Sequence, residues 1–420
     1  MEPFIVPREE HCISRSNINK SALKVLYRLR ARGHLGFLAG GCVRDLLLGR
    51  TPKDFDIATD ATPNQLKKMF SNCRLIGRRF RLAHIHFGPE IIEVATFRSN
   101  ESSGKAGKNS KGGKRKTAPL KSDSGVLVRD NVFGTPEEDA LRRDFTVNAL
   151  FYAIEDFSII DYADALTDLD AKIMRCIGDP DERYIEDPVR MLRAVRFAAT
   201  LDFDFEPETW AAIVRQHAHL AEASNARLYE EVLKFTNSGA MHRILPLMRE
   251  SGLLKVLFPL YSHWLEEQAT EDEQRHNEAA WAAIDTYKKQ HPRASAALRY
   301  GTIFSAYHQH KIGTMVEDGH RHPEAVTETL INHQQALVPS VLIPQRQLSD
   351  MIRIAASQPV FLNIDEAKAK KFKGMDCFAD SFAYFRFQCD LNGEHHERIP
   401  FWEQLEAPKA RKKSRRGRRH

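Results

Sequence analysis

Asp54 and Asp56 stand one residue apart in Lys53-Asp54-Phe55-Asp56-Ile57, a stretch that predicts a strand. Side chains two apart on a strand share a face, so both carboxylates point one way and Phe55 points into the core. Adjacent carboxylates repel, and the pairing is costly unless a cation sits between them. Mg²⁺, with Mn²⁺ as its substitute, takes such oxygen ligands and brings substrate phosphates with it. Just upstream, Phe37-Leu38-Ala39 reads as the end of a buried strand, Gly40-Gly41 as a turn, and Val43 to Leu48 as a short helix closed by Gly49. A turn of this kind faces backbone N–H groups and a helix N-terminus toward an anion, typically a phosphate. A phosphate cradle beside a two-carboxylate metal site is what nucleotidyl transfer needs. An isolated D-x-D is more often a solvated strand end; the glycine turn upstream weighs against that here.

Other residues leave two readings open. Glu93, in Ile91-Ile92-Glu93-Val94-Ala95, is either the wet face of a strand or, if that strand neighbours Asp54 and Asp56, part of the metal site. Thr135-Pro136-Glu137-Glu138 is a capping box with proline at the first helical position, and the helix it starts is expected to run through Leu150. It would carry Arg142-Arg143-Asp144. There Arg142 either pairs with Asp139 on the surface or joins Arg143 in neutralising a triphosphate, with Asp144 holding a hydroxyl or the metal site together. Asp187, Arg190, Arg193 and Arg196 form a stripe on a second helix. It is either a solvated face or a set that hydrogen-bonds a base edge, and Asp187 could equally be the N-cap. His84 and His86 alternate along one strand and read as sheet-face residues, with phosphate contact as the alternative.

The elements that must position these groups follow from periodicity. Ser21 to Arg32 has the apolar stripe of a helix, Thr62 caps another from Pro63 to Phe70, and three strands are read between Arg74 and Phe97. Ser99 to Gly125 is rich in Ser, Gly and Lys and cannot bury enough surface to order itself. After a β-rich patch at Phe151 to Tyr162, nearly every segment to residue 400 reads as helix. The fold class is therefore α+β, a mixed head followed by an all-α region. Phe382, Tyr384, Phe385 and Phe387 read as helix core, with base stacking as the alternative.

Composition narrows the class further. The 420 residues, 42% of them apolar, suffice for two or three domains, and no apolar run is long enough to span a membrane. Met1 to Asn17 has no apolar h-region, so a cytoplasmic protein is expected. The six scattered cysteines form no C-x-x-C and read as reduced thiols, and no H-E-x-x-H or H-D pair indicates a metallohydrolase. Net charge is +6, but basic residues crowd into Lys105–Lys121 and Lys409–Arg419, which points to a polyanionic partner.

Together these residues resemble the bacterial poly(A) polymerases, within the class II nucleotidyltransferase group that also holds the tRNA CCA-adding enzymes. Ala39-Gly40-Gly41-Cys42-Val43-Arg44-Asp45 with Asp54-Phe55-Asp56 is similar to the group's catalytic motif. Arg143-Asp144-Phe145-Thr146-Val147-Asn148 and Glu186-Asp187-Pro188-Val189-Arg190 resemble its R-R-D-F-T-x-N and E-D-x-x-R motifs. Leu75 to Ile85 and the arginine-rich end resemble the poly(A) branch. The resemblance implies a DNA polymerase β-like head (residues 21–160, after an irregular leader at 1–20), a helical neck for nucleotide and RNA (161–250), a helical RNA-binding body (251–400) and a disordered basic tail (401–420). It implies ATP as substrate and RNA 3′ ends as acceptor, with RNA decay as the consequence. The catalytic carboxylates would be Asp54, Asp56 and Asp144, the first two holding metal. Gly40, Gly41, Arg44 and Arg143 would bind triphosphate, and Asp187 and Arg190 would read adenine. One departure stands out. Asp161-Tyr162-Ala163-Asp164-Ala165 carries Asp and Ala where relatives carry glycine, so a positive-φ turn there would be strained.

Overall fold

A computed structural model describes residues 2–77, 81–99, 120–121, 127–129, 133–290, 294–336, 343–363 and 365–406. The chain divides into two compact units, residues 1–219 and 220–420. Most of loop 99–125 and residues 407–420 of the tail lie outside the described residues, as do Arg78 to Phe80 of the segment that resembles the poly(A) branch.

The first unit runs β1 (Phe4–Val6), α1 (Lys20–Ala31), β2 (Gly36–Ala39), α2 (Gly41–Leu47), β3 (Asp56–Thr59), α3 (Pro63–Met69), β4 (Cys73–Ile76), β5 (Leu82–Phe87), β6 (Glu90–Thr96), β7 (Leu120–Lys121) and β8 (Leu127–Arg129). It continues through α4 (Pro136–Leu141), β9 (Leu150–Ala153), β10 (Ile159–Asp161), α5 (Ala165–Ala171), β11 (Ile173–Met174), α6 (Pro180–Glu186), α7 (Val189–Leu201), β12 (Asp204–Phe205) and α8 (Pro207–Gln216). Eight strands make one sheet in the order β1-β10-β9-β2-β3-β6-β5-β4. Neighbours are antiparallel except β3 and β6, whose parallel register sets Asp56 beside Glu93. β2 lies mid-sheet and all four of its residues are buried. Phe37 on its inner face meets Phe97 and Phe151 at ring distances of 5.9 and 5.7 Å, a core cluster that fixes where the strand ends.

Several expectations are corrected here. The leader is not irregular, because Phe4–Val6 pairs with β10 and two 3₁₀ turns follow. β7 pairs with β8, so order returns before Val126. The expected capping box of Thr135 with Glu138 forms, and Thr62, expected as an N-cap, forms a full box with Gln65. The second helix stops at Leu141, however, and Thr146–Asn148 is a separate 3₁₀ turn ahead of β9. The stretch read as helical after Tyr162 contains a short parallel ladder, β11 with β12. At the departing turn Asp164 does adopt φ +56°, a left-handed conformation that aspartate tolerates better than most residues. Asp161 braces it by accepting the N–H groups of Ala163 and Leu166, both at 2.9 Å.

The second unit is helical: α9 (Asn225–Thr236), α10 (Met241–Glu250), α11 (Leu253–Leu257), α12 (Pro259–His263), α13 (Glu271–Gln290), α14 (Ala296–Ile303), α15 (Ser305–Glu317), α16 (His322–Ala336), α17 (Gln345–Ala356), α18 (Gln358–Leu362), α19 (Glu366–Lys373), α20 (Phe378–Asn392) and α21 (Ile399–Gln404). One aromatic core gathers Tyr261, Trp264, Trp281 and Phe304. Another stacks Phe361 on Phe385 at 4.8 Å with Trp402 edge-on, and Tyr384 and Phe387 are buried. Most of the aromatic run of α20 is thus core, with Phe382 half-buried against it. Trp402 also makes the start of the expected tail part of a folded helix. Among the described residues, no helix is long and apolar enough to cross a membrane.

Candidate active site

The site grows from the end of β2. Gly40 takes φ +75° and ψ −133°, a conformation that favours glycine, and its N–H bonds the Leu150 carbonyl at 3.0 Å. A Cβ on Gly40 would lie 2.7 Å from Nη1 of Arg143, and one on Gly41 would lie 3.4 Å from Nη2 of Arg44. The two glycines are therefore where two arginines pass close to the backbone. Gly40→Ala is expected to lose roughly 1–3 kcal/mol of stability from the backbone conformation alone and to push Arg143 out of place. Urea melts and nucleotide incorporation measured on the same protein check both effects.

β3 begins at Asp56, not before it. Asp54 precedes the strand and Phe55 is only half-buried, so the expected in-and-out alternation does not hold there. Both carboxylates remain open to water at the mouth of the sheet. Across the parallel register stands Glu93, itself bridged by His84 Nε2 at 3.2 Å. Asp56 keeps an exposed edge but is crowded by protein on its other sides, and it is pushed up to about 6, first by this partial loss of water, then by Glu93 and by Asp54, against the pull of Arg143. Cys42 packs underneath and is inert, its thiol pushed up to about 12 by burial and by Asp56. Among the described residues no three His, Cys, Asp or Glu side chains converge as a metal cage. The donors at Asp56 are instead a few hard oxygens that repel one another. That set fits Mg²⁺ or Mn²⁺, which need one or two carboxylates and draw their other ligands from phosphate and water.

Behind the glycine turn lies a chain of buried hydrogen bonds. Arg44 donates Nε and Nη2 to Asp45 Oδ1 at 2.9 and 2.7 Å, and Nη1 to Asn148 Oδ1 at 2.6 Å. Asn148 donates to Asp144 Oδ1 at 3.2 Å. Asp144 Oδ2 accepts Nε and Nη2 of Arg193 at 2.7 and 2.6 Å. Burial alone would raise the Asp144 pKa, but the charge and hydrogen bonds of Arg193, with Asn148 and Arg190, hold it down to about 2. Three guanidiniums, of Arg44, Arg193 and Arg196, face the ring of Phe197 at 5.3, 5.3 and 4.4 Å. The arginine stripe of α7 is accordingly not a solvated face. α7 is fastened at its other end as well, where Arg50 donates to the carbonyls of Thr200 and Leu201 at 3.0 and 3.3 Å.

Arg143 pairs with Asp139, at 3.0 Å, and also donates to the Asn148 carbonyl at 3.1 Å. Arg183 reaches back from α6 to the carbonyls of Arg142 and Arg143, the latter at 2.6 Å. Glu186 receives Nη1 of both Arg183 and Arg190 at 2.8 and 2.7 Å. Asp187 closes α6, and α7 starts behind Pro188 with no side-chain cap, so Asp187 is not its N-cap. Arg142 is pulled down to about 9 by burial, then by Arg98, Arg190, Arg183 and Arg143, a clustering of like charge that a polyanion would relieve.

The fold thus brings Gly40, Gly41, Arg44, Asp56, Arg143 and Asp144 together, with Asp54 at the rim. Asp187 and Arg190 adjoin this group through Arg183 and Glu186. Asn148, Arg183, Arg193 and Phe197 are essential to the arrangement, and none was singled out by its own residue type. Only the placement of Asn148 and Arg193 inside the motif and the stripe hinted at them.

Residues 36–175 match the family model described as "Poly A polymerase head domain", and residues 202–265 match "Probable RNA and SrmB- binding site of polymerase A". Poly(A) polymerase I of Salmonella typhimurium is 46% identical over 300 residues, covering 71% of this chain and 63% of that protein. The chain thus spans somewhat under two thirds of that relative's length. Poly(A) polymerase I of Haemophilus influenzae is 40% identical over 316 residues, covering 75% of this chain and 68% of that protein. Among solved structures, the Thermotoga maritima CCA-adding enzyme complexed with tRNA shares the fold at a TM-score of 0.58 and 17% identity, over 96% of this chain and 86% of that one. The fold is a nucleotidyltransferase head followed by a helical body, and by its identity to the Haemophilus protein the chain belongs to the poly(A) polymerase I family.

Proposed function

We propose that this chain is a template-independent RNA 3′-adenylyltransferase. It joins AMP from ATP to an RNA 3′-hydroxyl and releases pyrophosphate, repeatedly. One observation carries the reading in a chain of this family: Asp56, raised by loss of water and then by Glu93 and Asp54, lies beside a glycine turn whose free space is taken by Arg143. Asp54 and Asp56 would hold divalent ions, Mg²⁺ in preference to Mn²⁺. Their chemistry is to acidify the 3′-hydroxyl and to offset charge on the leaving pyrophosphate. Gly40 and Gly41 let the triphosphate approach the backbone, and Arg143 with its arginine neighbours meets its charge. Arg44 is held by Asp45 and Asn148, which fixes the cradle's shape. Asp144, ionised and tied to Arg193, keeps the metal-side and nucleotide-side halves in register. Asp187 and Arg190 read the adenine edge. RNA is held by the helical unit and the basic run at Lys409–Arg419 without strong sequence preference. The setting is the cytoplasm and the outcome is RNA marked for decay.

Incubation of the protein with labelled ATP or CTP, RNA acceptors and either metal ion tests this. Long A-tails on unstructured RNA are expected. CTP incorporation onto a tRNA lacking its CCA end would transfer the reading to CCA addition. Retention of RNA with no incorporation under either ion would make the chain an RNA-binding module on this fold.

A further inference from the structure

The helical unit holds a cavity of about 500 Å³ that nucleotide transfer does not use. Its size is that of a small-molecule site. The walls are apolar, with Leu298, Met351, Ile354, Tyr384 and Phe385 among them.

Two independent features mark it as a shaped space. First, two glycines inside helices line it, Gly301 in α14 and Gly313 in α15. Glycine weakens a helix interior, so its presence calls for a reason. A Cβ at Gly313 would meet no atom within 4 Å, and one at Gly301 would meet only Met351 Cε, at 4.0 Å. Larger residues would strengthen both helices and fill the void, yet the space is open at both positions. Second, Gln388 lines the cavity and is only 8% exposed. Its Oε1 accepts from Gln309 Nε2, while its own Nε2 has only the Tyr384 hydroxyl near it and is left short of a partner among the described residues. Gln358, also lining the cavity, buries Oε1 in the same condition. A buried polar atom without a partner is costly, and a ligand that supplies one recovers the cost. Charge restricts the ligand. No Lys or Arg lines the cavity, and the carboxylate that does, Glu317, is exposed. Three histidines, His308, His322 and His395, line it, and burial holds His322 toward its neutral form, so an anion meets no permanent counter-charge there.

We propose that this cavity binds a neutral, mostly apolar aromatic small molecule carrying a hydrogen-bond acceptor, seated against Tyr384 and Phe385 with its acceptor on the Gln388 amide. The site is separate from the head's chemistry, so it stands or falls independently of the adenylyltransferase reading.

The probe is 6-propionyl-2-dimethylaminonaphthalene, a neutral ketone whose emission shifts to the blue in apolar surroundings, titrated into the full chain. Saturable one-to-one binding with a blue shift and a raised melting temperature is expected. Gly313→Leu fills the space and should weaken binding at least tenfold while holding or raising the melting temperature of the ligand-free protein. Gly301→Leu asks the same from the opposite helix if Gly313→Leu folds poorly. Gln388→Leu should weaken the ketone about tenfold, the worth of one hydrogen bond, and leave 2-ethylnaphthalene binding unchanged. Absence of saturable binding overturns the proposal. So does unchanged affinity in both folded glycine variants, or equal binding of naphthalene-2-carboxylate.

Discussion

Asp56→Asn is expected to abolish nucleotide addition and, at neutral pH without divalent ions, to melt at a higher temperature than the wild-type chain. The first effect follows from the role proposed for Asp56. Losing several kcal/mol of charge stabilisation slows the reaction roughly a thousandfold or more. The second follows from the pKa near 6. A carboxyl with a raised folded-state pKa binds its proton more tightly in the native state than in the unfolded chain. Stability therefore falls as pH rises from about 4 to about 6 and stays lower above that window. Asparagine carries no charge and escapes the repulsion from Glu93 and Asp54. The gain in melting temperature should be near zero at pH 4, open by pH 6, and shrink when Mg²⁺ is added to wild type, because an ion bound only to the native state stabilises it. Thermal melts across that pH range, with and without Mg²⁺, decide the matter. Equal melting at all pH values would mean that Asp56 is not under strain from its neighbours. Asp54→Ala should share the loss of activity while leaving RNA affinity largely unchanged.

Asp144→Ala should be the more damaging change to the fold. Asp144 is 9% exposed, and its loss leaves Arg193 facing a dry recess without its carboxylate. Removing one partner of a buried pair costs about 3–5 kcal/mol, and the partial exposure of Arg193 places this case at the lower end. The effect has a pH signature opposite to that of Asp56. The folded pKa of about 2 lies below the ordinary carboxylate value, so the contribution is full above about pH 4 and is lost as pH falls toward 2. Asn148→Ala breaks the same hydrogen-bonded chain one step earlier and leaves Arg44 hydrogen-bonded to Asp45 alone among the described residues. The two substitutions share partners, so the double variant should lose clearly less than the sum of the singles. Urea midpoints of the four proteins measure this coupling. Additive losses would show that Asp144 and Asn148 act independently.

The parts of this site that were legible in the sequence are those fixed by local chemistry. Gly40-Gly41 could be placed because a positive φ and a close approach both demand glycine. Thr62 and Thr135 could be placed because a capping box is complete within four residues. What failed depended on partners far along the chain. β3 starts at Asp56 because pairing with Glu93 begins there, and no pattern around Asp54 reveals where β6 starts. The helix expected through Leu150 stops at Leu141, and Arg183 of α6 then holds the carbonyls of Arg142 and Arg143. Spacing left Arg193 either on a solvated face or at a base edge, and the structure makes it a half-buried brace because Asp144 stands opposite it. β1 was missed because three residues with two exposed apolar side chains show no alternation.

The fastening of α7 at both ends bears on how much chain is needed to make a stable head. Arg193 ties it to Asp144 and Arg50 ties its last carbonyls to the segment after α2. A chain cut after residue 160 would lose Arg183 and Arg193 and strand Asp144, so it should not fold as a head in isolation. Limited proteolysis should instead release a resistant fragment ending near residue 219, where the first compact unit ends. Within that fragment, amide protons of α7 should exchange on the same timescale as those of β2. The helix that carries Arg190, proposed to read adenine, would then open only when the sheet that carries Asp56 does.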